Sequence, residues 1–260
     1  MTTFRRITIR CGVCRKKQEL PICTSTNSFG YSDLDGRPAG MARDTLPTYV
    51  QRCRYCGYVA DNLEKAGRIK RDFLKSEAYR TCEGHSMESG LAMVFYQSYL
   101  IHKKRGEFHA AFYDLLHAAW ASDDEAYQMH LPLQLEMENA KSEEKSGEDP
   151  WFGRFVQLED LKEKYPELYE EKLNAKNHAL ADAAFLRKKA VEIMDSVTDW
   201  GRDEGMPLLR LDLLRRSGQF EEAIAYDAEI PEDRPEWALI AAFEKGKANE
   251  QDTGCYTSAD

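Results

Sequence analysis

The chain has no run of about 18 uninterrupted apolar residues, the length that a membrane-spanning helix requires. Its best stretch, Leu91 to Ile101, is short and is broken by Gln97 and Ser98. No membrane span is expected. The opening MTTFRRITIR lacks the apolar core of a signal peptide, so a cytoplasmic location is expected. Catalytic signatures are also missing. There is no G-x-S-x-G, no phosphate loop and no G-x-G-x-x-G fingerprint. The histidines, at 85, 102, 109, 117, 130 and 178, form no H-E-x-x-H pattern. His109 and His117 share a helix with Trp120 and read as packed or exposed side chains. An enzyme is therefore not the leading expectation.

What is present is a chain of 260 residues, 42% hydrophobic and 31% charged, with a formal net charge of −9. That length and apolar content support a sizeable core and one or two domains, and rule out a wholly disordered chain. The net charge excludes a uniformly basic nucleic-acid coat, but it averages two unlike segments. Residues 1–75 hold 15 Lys/Arg and 7 Asp/Glu, a net of +8. Residues 76–260 hold 21 and 38, a net of −17. Five of the seven cysteines fall in the basic segment: Cys11, Cys14, Cys23, Cys53 and Cys56. Charge and cysteine distribution both place a boundary near residue 75.

Two C-x2-C pairs stand out, Cys11-Gly-Val-Cys14 and Cys53-Arg-Tyr-Cys56. Two intervening residues let a tight turn aim both sulfurs at one ion. Two such turns facing each other complete a tetrahedral four-cysteine site, the closed geometry of structural zinc. Gly57 suits the left-handed position such a turn needs. Phe4 to Arg10 and Tyr49 to Arg52 read as short strands leading into the turns. A catalytic C-x2-C pair belongs at a helix start within a βαβ pattern, which is not visible, and a disulfide framework belongs in small secreted domains. One structural Zn2+ held by Cys11, Cys14, Cys53 and Cys56 is expected. The site would carry −2, leaving the segment at roughly +6. Arg15, Lys16, Lys17, Arg52 and Arg54 crowd the turns. They either offset the thiolates or, joined by Arg68, Lys70, Arg71 and Lys75, face an anionic partner. Cys23 reads as a spare thiol. Cys82-Glu-Gly-His85 offers C-x2-H spacing without a matching second half.

The 38 residues between the pairs exceed the compact pattern, so a long insertion is expected. Thr24 to Leu46 is rich in turn residues. Asp33-Leu-Asp35-Gly36 resembles an EF-hand centre, but Tyr31 and Ala42 then occupy the end positions where carboxylates belong, so calcium is not expected. Asp33 and Asp35 are expected to cap turns or pair with Arg37 or Arg43. Two further readings are a recognition surface and, last, a catalytic use of Asp33, Asp35 and Arg37.

From about residue 87 the apolar spacing is helical. Leu100 to Ala111 parallels Leu213 to Ala223: a helix, Gly106 or Gly218, then Phe108 or Phe220, then Ala111 or Ala223. A left-handed glycine cap, a groove-filling Phe and a close-approach Ala make a helical hairpin of tetratricopeptide-like type. Phe95, Tyr96, Tyr99, Phe108, Phe112, Tyr113 and Trp120 read as hairpin core. Lys141 to Pro150 reads as a charged loop. Leu158 to Glu171 reads as a helix broken near Pro166. Ala179 to Val197 reads as an amphipathic helix. Pro207 and Pro235 open later helices, and Asn249 to Asp260 reads as a frayed tail. The expected fold is α+β: a zinc ribbon over 1–75, helical hairpins over 76–250, and a tail over 251–260.

The cysteine pairs, the Asn27–Pro38 loop NSFGYSDLDGRP and Arg52 to Val59 resemble a group of uncharacterised bacterial zinc-ribbon proteins, in which the ribbon precedes a tetratricopeptide-like region. Most such ribbons read C-P-x-C-G; here Gly12, Arg15 and Arg54 depart from it. The resemblance implies the architecture and no activity. The leading functional expectation is a non-catalytic adaptor that offers a helical groove to a protein partner. The alternative is a nucleic-acid-associated factor whose basic ribbon contacts phosphate.

Overall fold

The computed structural model describes residues 2–66, 69–127, 162, 165–200, 205–226, 234–257 and 259. The architecture is α+β, with short antiparallel strands at the N-terminus followed by a mostly helical region. Strands β1 (Thr3–Arg10) and β2 (Lys17–Ser25) form a hairpin, with Ile9 opposite Gln18 and Arg6 opposite Pro21. Pro21 lacks an N–H, and a two-stranded sheet tolerates it because both strands are edges. A 3-10 segment, Gly40–Thr48, leads to the short pair β3 (Gln51–Arg52) and β4 (Val59–Ala60). The strand expected over Tyr49 to Arg52 is thus confined to its last two residues.

Two brief helices, α1 (Arg71–Lys75) and α2 (Glu77–Arg80), connect the strands to the long helices. The hairpin α3 (Gly90–Arg105) and α4 (Phe108–Tyr127) follows. Then come α5 (Pro166–Met194), α6 (Met206–Arg216), α7 (Phe220–Ala225) and α8 (Glu236–Asn249). Helix α4 packs against both α3 and α5 and buries Ala111, Phe112, Leu115, Leu116, Ala118, Ala119 and Trp120. Phe95, Tyr96 and Tyr99 of α3 are buried against it, as the aromatic spacing indicates. His117 is neutral core: burial pushes its pKa down to about 4, and the rings of Tyr49, Phe95 and Trp120 surround it.

The two glycine turns share one geometry. Gly106 and Gly218 have φ of 74° and 76°. The Glu107 N–H bonds the His102 carbonyl and the Gly106 N–H that of Lys103; the Gln219 N–H bonds Leu214 and the Gly218 N–H bonds Arg215. This is the Schellman pattern, which satisfies carbonyls orphaned at a helix end. Ala111 and Ala223 are fully buried in the second helix of each hairpin.

Two expectations need revision, and a third falls outside the described residues. Pro166 occupies the first turn of α5 and starts a helix, a position where its missing N–H costs nothing. The charged segment Lys141 to Pro150 lies outside the described residues, as does the stretch 158–164 apart from Lys162. The tail is not frayed: the Leu34 N–H bonds the Tyr256 carbonyl, Asp33 bridges Thr257, and Arg215 donates 2.8 Å bonds to the carbonyls of Asp252 and Gly254. One buried apolar cluster runs from Ile9 to Ala248.

The glycine caps give a direct test. Gly218→Ala forces a Cβ into the left-handed region and should cost about 1 kcal/mol, read as a lower urea midpoint with an unchanged slope.

Candidate metal centre

Each C-x2-C pair sits in the same backbone turn. In the first, the Cys11 N–H bonds the Lys16 carbonyl and the Arg15 N–H bonds that of Cys11. In the second, the Cys53 N–H bonds Tyr58 and the Gly57 N–H bonds Cys53. Arg15 (φ 64°) occupies the position that Gly57 (φ 72°) fills in its twin, so the first turn holds a non-glycine in left-handed backbone. Gly12 has its own reason. A Cβ there would meet the backbone of Glu64 and Ala66 at 2.6 Å, and its N–H bonds the Leu63 carbonyl at 2.8 Å. A proline at this position would lose both the space and the bond.

Gln18, buried on β2, ties the strand that leaves the first turn to the second turn. Its Nε2 donates to the Arg52 carbonyl, and its Oε1 accepts from the Arg54 N–H, both at 3.0 Å. The Tyr79 hydroxyl holds the Gly57 carbonyl at 2.6 Å, and Arg71 Nη2 holds that of Val13 at 2.7 Å. The four sulfurs consequently converge. Cys11 Sγ lies 3.8 Å from Cys56 Sγ, Cys14 Sγ lies 3.6 Å from Cys53 Sγ, and all four lie within 4.8 Å of one another. These separations are far beyond a disulfide bond of about 2.05 Å. The set can hold a metal ion, and it is the only such group of three or more ligand-type side chains among the described residues. Burial pushes the Cys53 and Cys56 thiols up. Burial opposes ionisation of Cys14 too, but the Lys16 amide and the neighbouring thiols bring it down.

The other sulfurs stand apart. Cys23 Sγ contacts its own strand at the Ser25 carbonyl. Cys82 is buried, its thiol pushed up to about 11 by burial, and His85 stacks 4.1 Å from the ring of Phe185. Cys255 is in the docked tail.

Asp33, Asp35 and Arg37 are brought together, in buried ion pairs. Arg43 Nη2 meets Asp33 Oδ1 at 2.5 Å. Asp35 Oδ1 accepts the Arg37 N–H, while its Oδ2 accepts from Trp120 Nε1 at 2.9 Å, Arg216 Nη1 at 2.6 Å and Arg187 Nη2 at 3.4 Å. Arg187 and Arg216 also converge on Asp123 at 2.5 and 2.7 Å, and Arg37 meets Asp124 at 2.5 Å. Three carboxylates thus face three guanidiniums where the inter-turn loop meets α4, α5 and α6. Burial would raise Asp123, but Arg187 and Arg216 overrule it and hold it at about 2. Beside this set, Arg215 binds Asp212 at 2.9 Å and also Glu244. Burial, reinforced by Glu244 against the nearby arginines, pushes Asp212 up to about 7.

Sequence reasoning missed Arg187, Asp123 and Arg216. A signal existed for Arg187: it lies in the buried stripe of Ala183, Leu186 and Ala190, where a charge needs a buried partner. No protein-family model, curated protein or solved structure matches the chain. The geometry therefore carries the functional argument.

Two outcomes follow from the ion pairs. Asp35→Ala leaves Arg187 and Arg216 short of a counter-charge and should cost about 3–5 kcal/mol in denaturant unfolding at pH 7. Asp123, depressed below its ordinary 3.8, contributes stability that is present above about pH 4 and lost as pH falls towards 2, which an acid titration followed by circular dichroism would show. In the first cysteine turn, Arg15→Gly relieves the left-handed strain and should raise stability by about 0.5–1 kcal/mol in the same unfolding assay.

Proposed function

We propose that the chain is a non-catalytic, zinc-dependent adaptor of the cytoplasm, with Cys11, Cys14, Cys53 and Cys56 as the ligands of one structural Zn2+. The convergence of the four sulfurs carries the reading. A tetrahedron with zinc–sulfur bonds of about 2.3 Å has sulfur–sulfur edges of about 3.8 Å, close to the 3.6 and 3.8 Å pairs. Four thiolates fill a tetrahedral ion and leave no position for substrate, the arrangement of structural sites. Asp33, Asp35 and Arg37 are committed to buried ion pairs, which favours a structural role for the loop over a catalytic one. The helical hairpins supply the partner surface. Leu239 on α8 is 74% exposed, and Ile224 on α7 is also exposed.

A second reading, contact between the basic N-terminal segment and nucleic acid, is favoured by one observation. Lys16, Arg52, Lys75 and Arg80 make no ion pair among the described residues.

Metal analysis of the purified chain should give one zinc per chain, lost on strong chelation together with the folding of the cysteine turns. Cys14→Ser should lose the ion. Since burial raises the Cys53 and Cys56 thiols, protons compete harder as pH drops, and zinc affinity should fall with it. A metal-replete preparation without zinc would remove the reading. Tagged recovery from native lysate, with and without nuclease, separates the two partners: nuclease-resistant protein supports the adaptor, and nuclease-sensitive recovery the second reading.

A further inference from the structure

Beside the second cysteine turn lies a groove of 690 Å3, lined in part by Cys14, Cys56, Tyr55, Tyr79 and Gln97. That volume falls within the usual range for ligand sites, about 300–1,000 Å3. Its charge is mostly positive, with the cysteine site on its wall, −2 when zinc is bound, as the one negative group. Lys16, Arg52, Arg71, Lys75 and Arg80 all line it, and no carboxylate does. Arg71 spends one nitrogen on the Val13 carbonyl, and none of the five is ion-paired among the described residues. The loaded cysteine site offsets about two of these five charges, and an anion in the groove relieves the remainder.

Two further observations narrow the anion. Gln97 is 2% exposed, and its Nε2 already donates to the Tyr79 carbonyl at 3.3 Å. Its Oε1 has no hydrogen-bond partner. A buried amide oxygen needs a donor, and a bare phosphate polymer brings none. That oxygen is itself closed to solvent, so a ligand N–H reaches it only after a shift of the Gln97 side chain, and a ligand with N–H groups as well as negative charge suits it best. Next, Tyr55 at the rim is 45% exposed, with Lys16 Nζ 4.8 Å and the Arg54 guanidinium 5.0 Å from its ring centroid. Both cations lie over the ring, and moving one of them onto a phosphate frees a face of the kind on which single-strand binders stack bases. The cationic track also continues. Arg54 lines a second hollow of 360 Å3 with Arg6, Thr8, Lys17, Gln18 and Glu19. A track longer than one phosphate favours a polymer with repeating phosphates, and a base-sized hollow with a hidden acceptor favours unpaired bases over a duplex.

We propose that this groove binds single-stranded nucleic acid, with Lys16, Arg52, Arg71, Lys75 and Arg80 on phosphates, Tyr55 against a base, and Gln97 Oε1 accepting from a base N–H. The proposal rests on the second reading above, in which the basic segment meets nucleic acid, and names its site and strandedness.

The test uses the full chain. A fluorescent single-stranded RNA of about 12 nucleotides is titrated at several salt concentrations against wild type, Lys75→Glu/Arg80→Glu and a control, Lys172→Glu/Lys188→Glu, with zinc content measured for each. Lys75, Arg80 and Lys188 are exposed, and neither Lys75 nor Arg80 is a metal ligand. Wild type should bind, with a log–log salt slope shallower by about 0.7 for each phosphate contact removed in the groove variant. The groove variant should bind at least about tenfold more weakly at low salt, and the control should match wild type. Competition by unlabelled RNA should exceed competition by duplex of equal length, by inorganic polyphosphate and by a phosphopeptide. Wild-type affinity in the groove variant would overturn the groove while leaving the second reading standing. No RNA binding at low salt would overturn both. Equal competition by polyphosphate, duplex or phosphopeptide would overturn the base contacts and with them the proposal. Zinc content reads separately on the metal reading, whichever way the titration falls.

Discussion

The carboxylate of Asp35 is the constraint on which the rest of the structure turns. One oxygen takes an indole N–H from α4 and guanidinium groups from α5 and α6. The other closes its own turn on the Arg37 N–H. A buried carboxylate is unfavourable unless its lone pairs are filled, and here three helices fill them. Asp123 and Asp124 with Arg37, Arg187 and Arg216 make the set electrically neutral. Ion pairs of this kind add little net stability over a well-packed apolar core, but breaking one is costly. Their value is directional: this docking of the loop gives each of the three carboxylates a guanidinium, at the cost of leaving the Nε atoms of Arg37, Arg187 and Arg216 buried without a partner.

The same loop is bounded by the cysteine turns, so two fasteners act on one stretch of chain. The sulfurs bring residues 11–14 and 53–56 together, and Asp35 pins the middle of the intervening segment to the helices. The C-terminal segment closes over it, with Tyr256 and Thr257 against Leu34 and Asp33. Arg215 serves this closure through Glu244 and the carbonyls of Asp252 and Gly254. The loop is therefore neither free nor packed on the strands alone. In the proposed reading, zinc sets its ends and charge sets its centre.

How much of this was legible follows from the range of the interactions. The cysteine turns and the Gly106 and Gly218 caps are local, set by residues three to five apart, and the sequence states them openly. The apolar face of α5 was readable from its spacing. Strand β2 was obscured by Pro21, which reads as a breaker until its strand is known to be an edge. The Asp35 cluster was not legible, because its partners lie 85 to 181 positions away and no local pattern pairs them. Charged residues in a helix are ordinarily solvated, so Asp123, Arg187 and Arg216 carried no mark beyond the interruption of an apolar stripe by Arg187. The docked tail failed for a similar reason: short polar termini usually fray, and this one is held by an arginine on α6.

Thiol footprinting tests the central claim most directly. The native chain is alkylated, digested and read by mass spectrometry before and after a strong zinc chelator is added. The account predicts that Cys11, Cys14, Cys53 and Cys56 are protected together before chelation and modified together after it. Modification of any of the four before chelation, or protection that the chelator leaves unchanged, would contradict it.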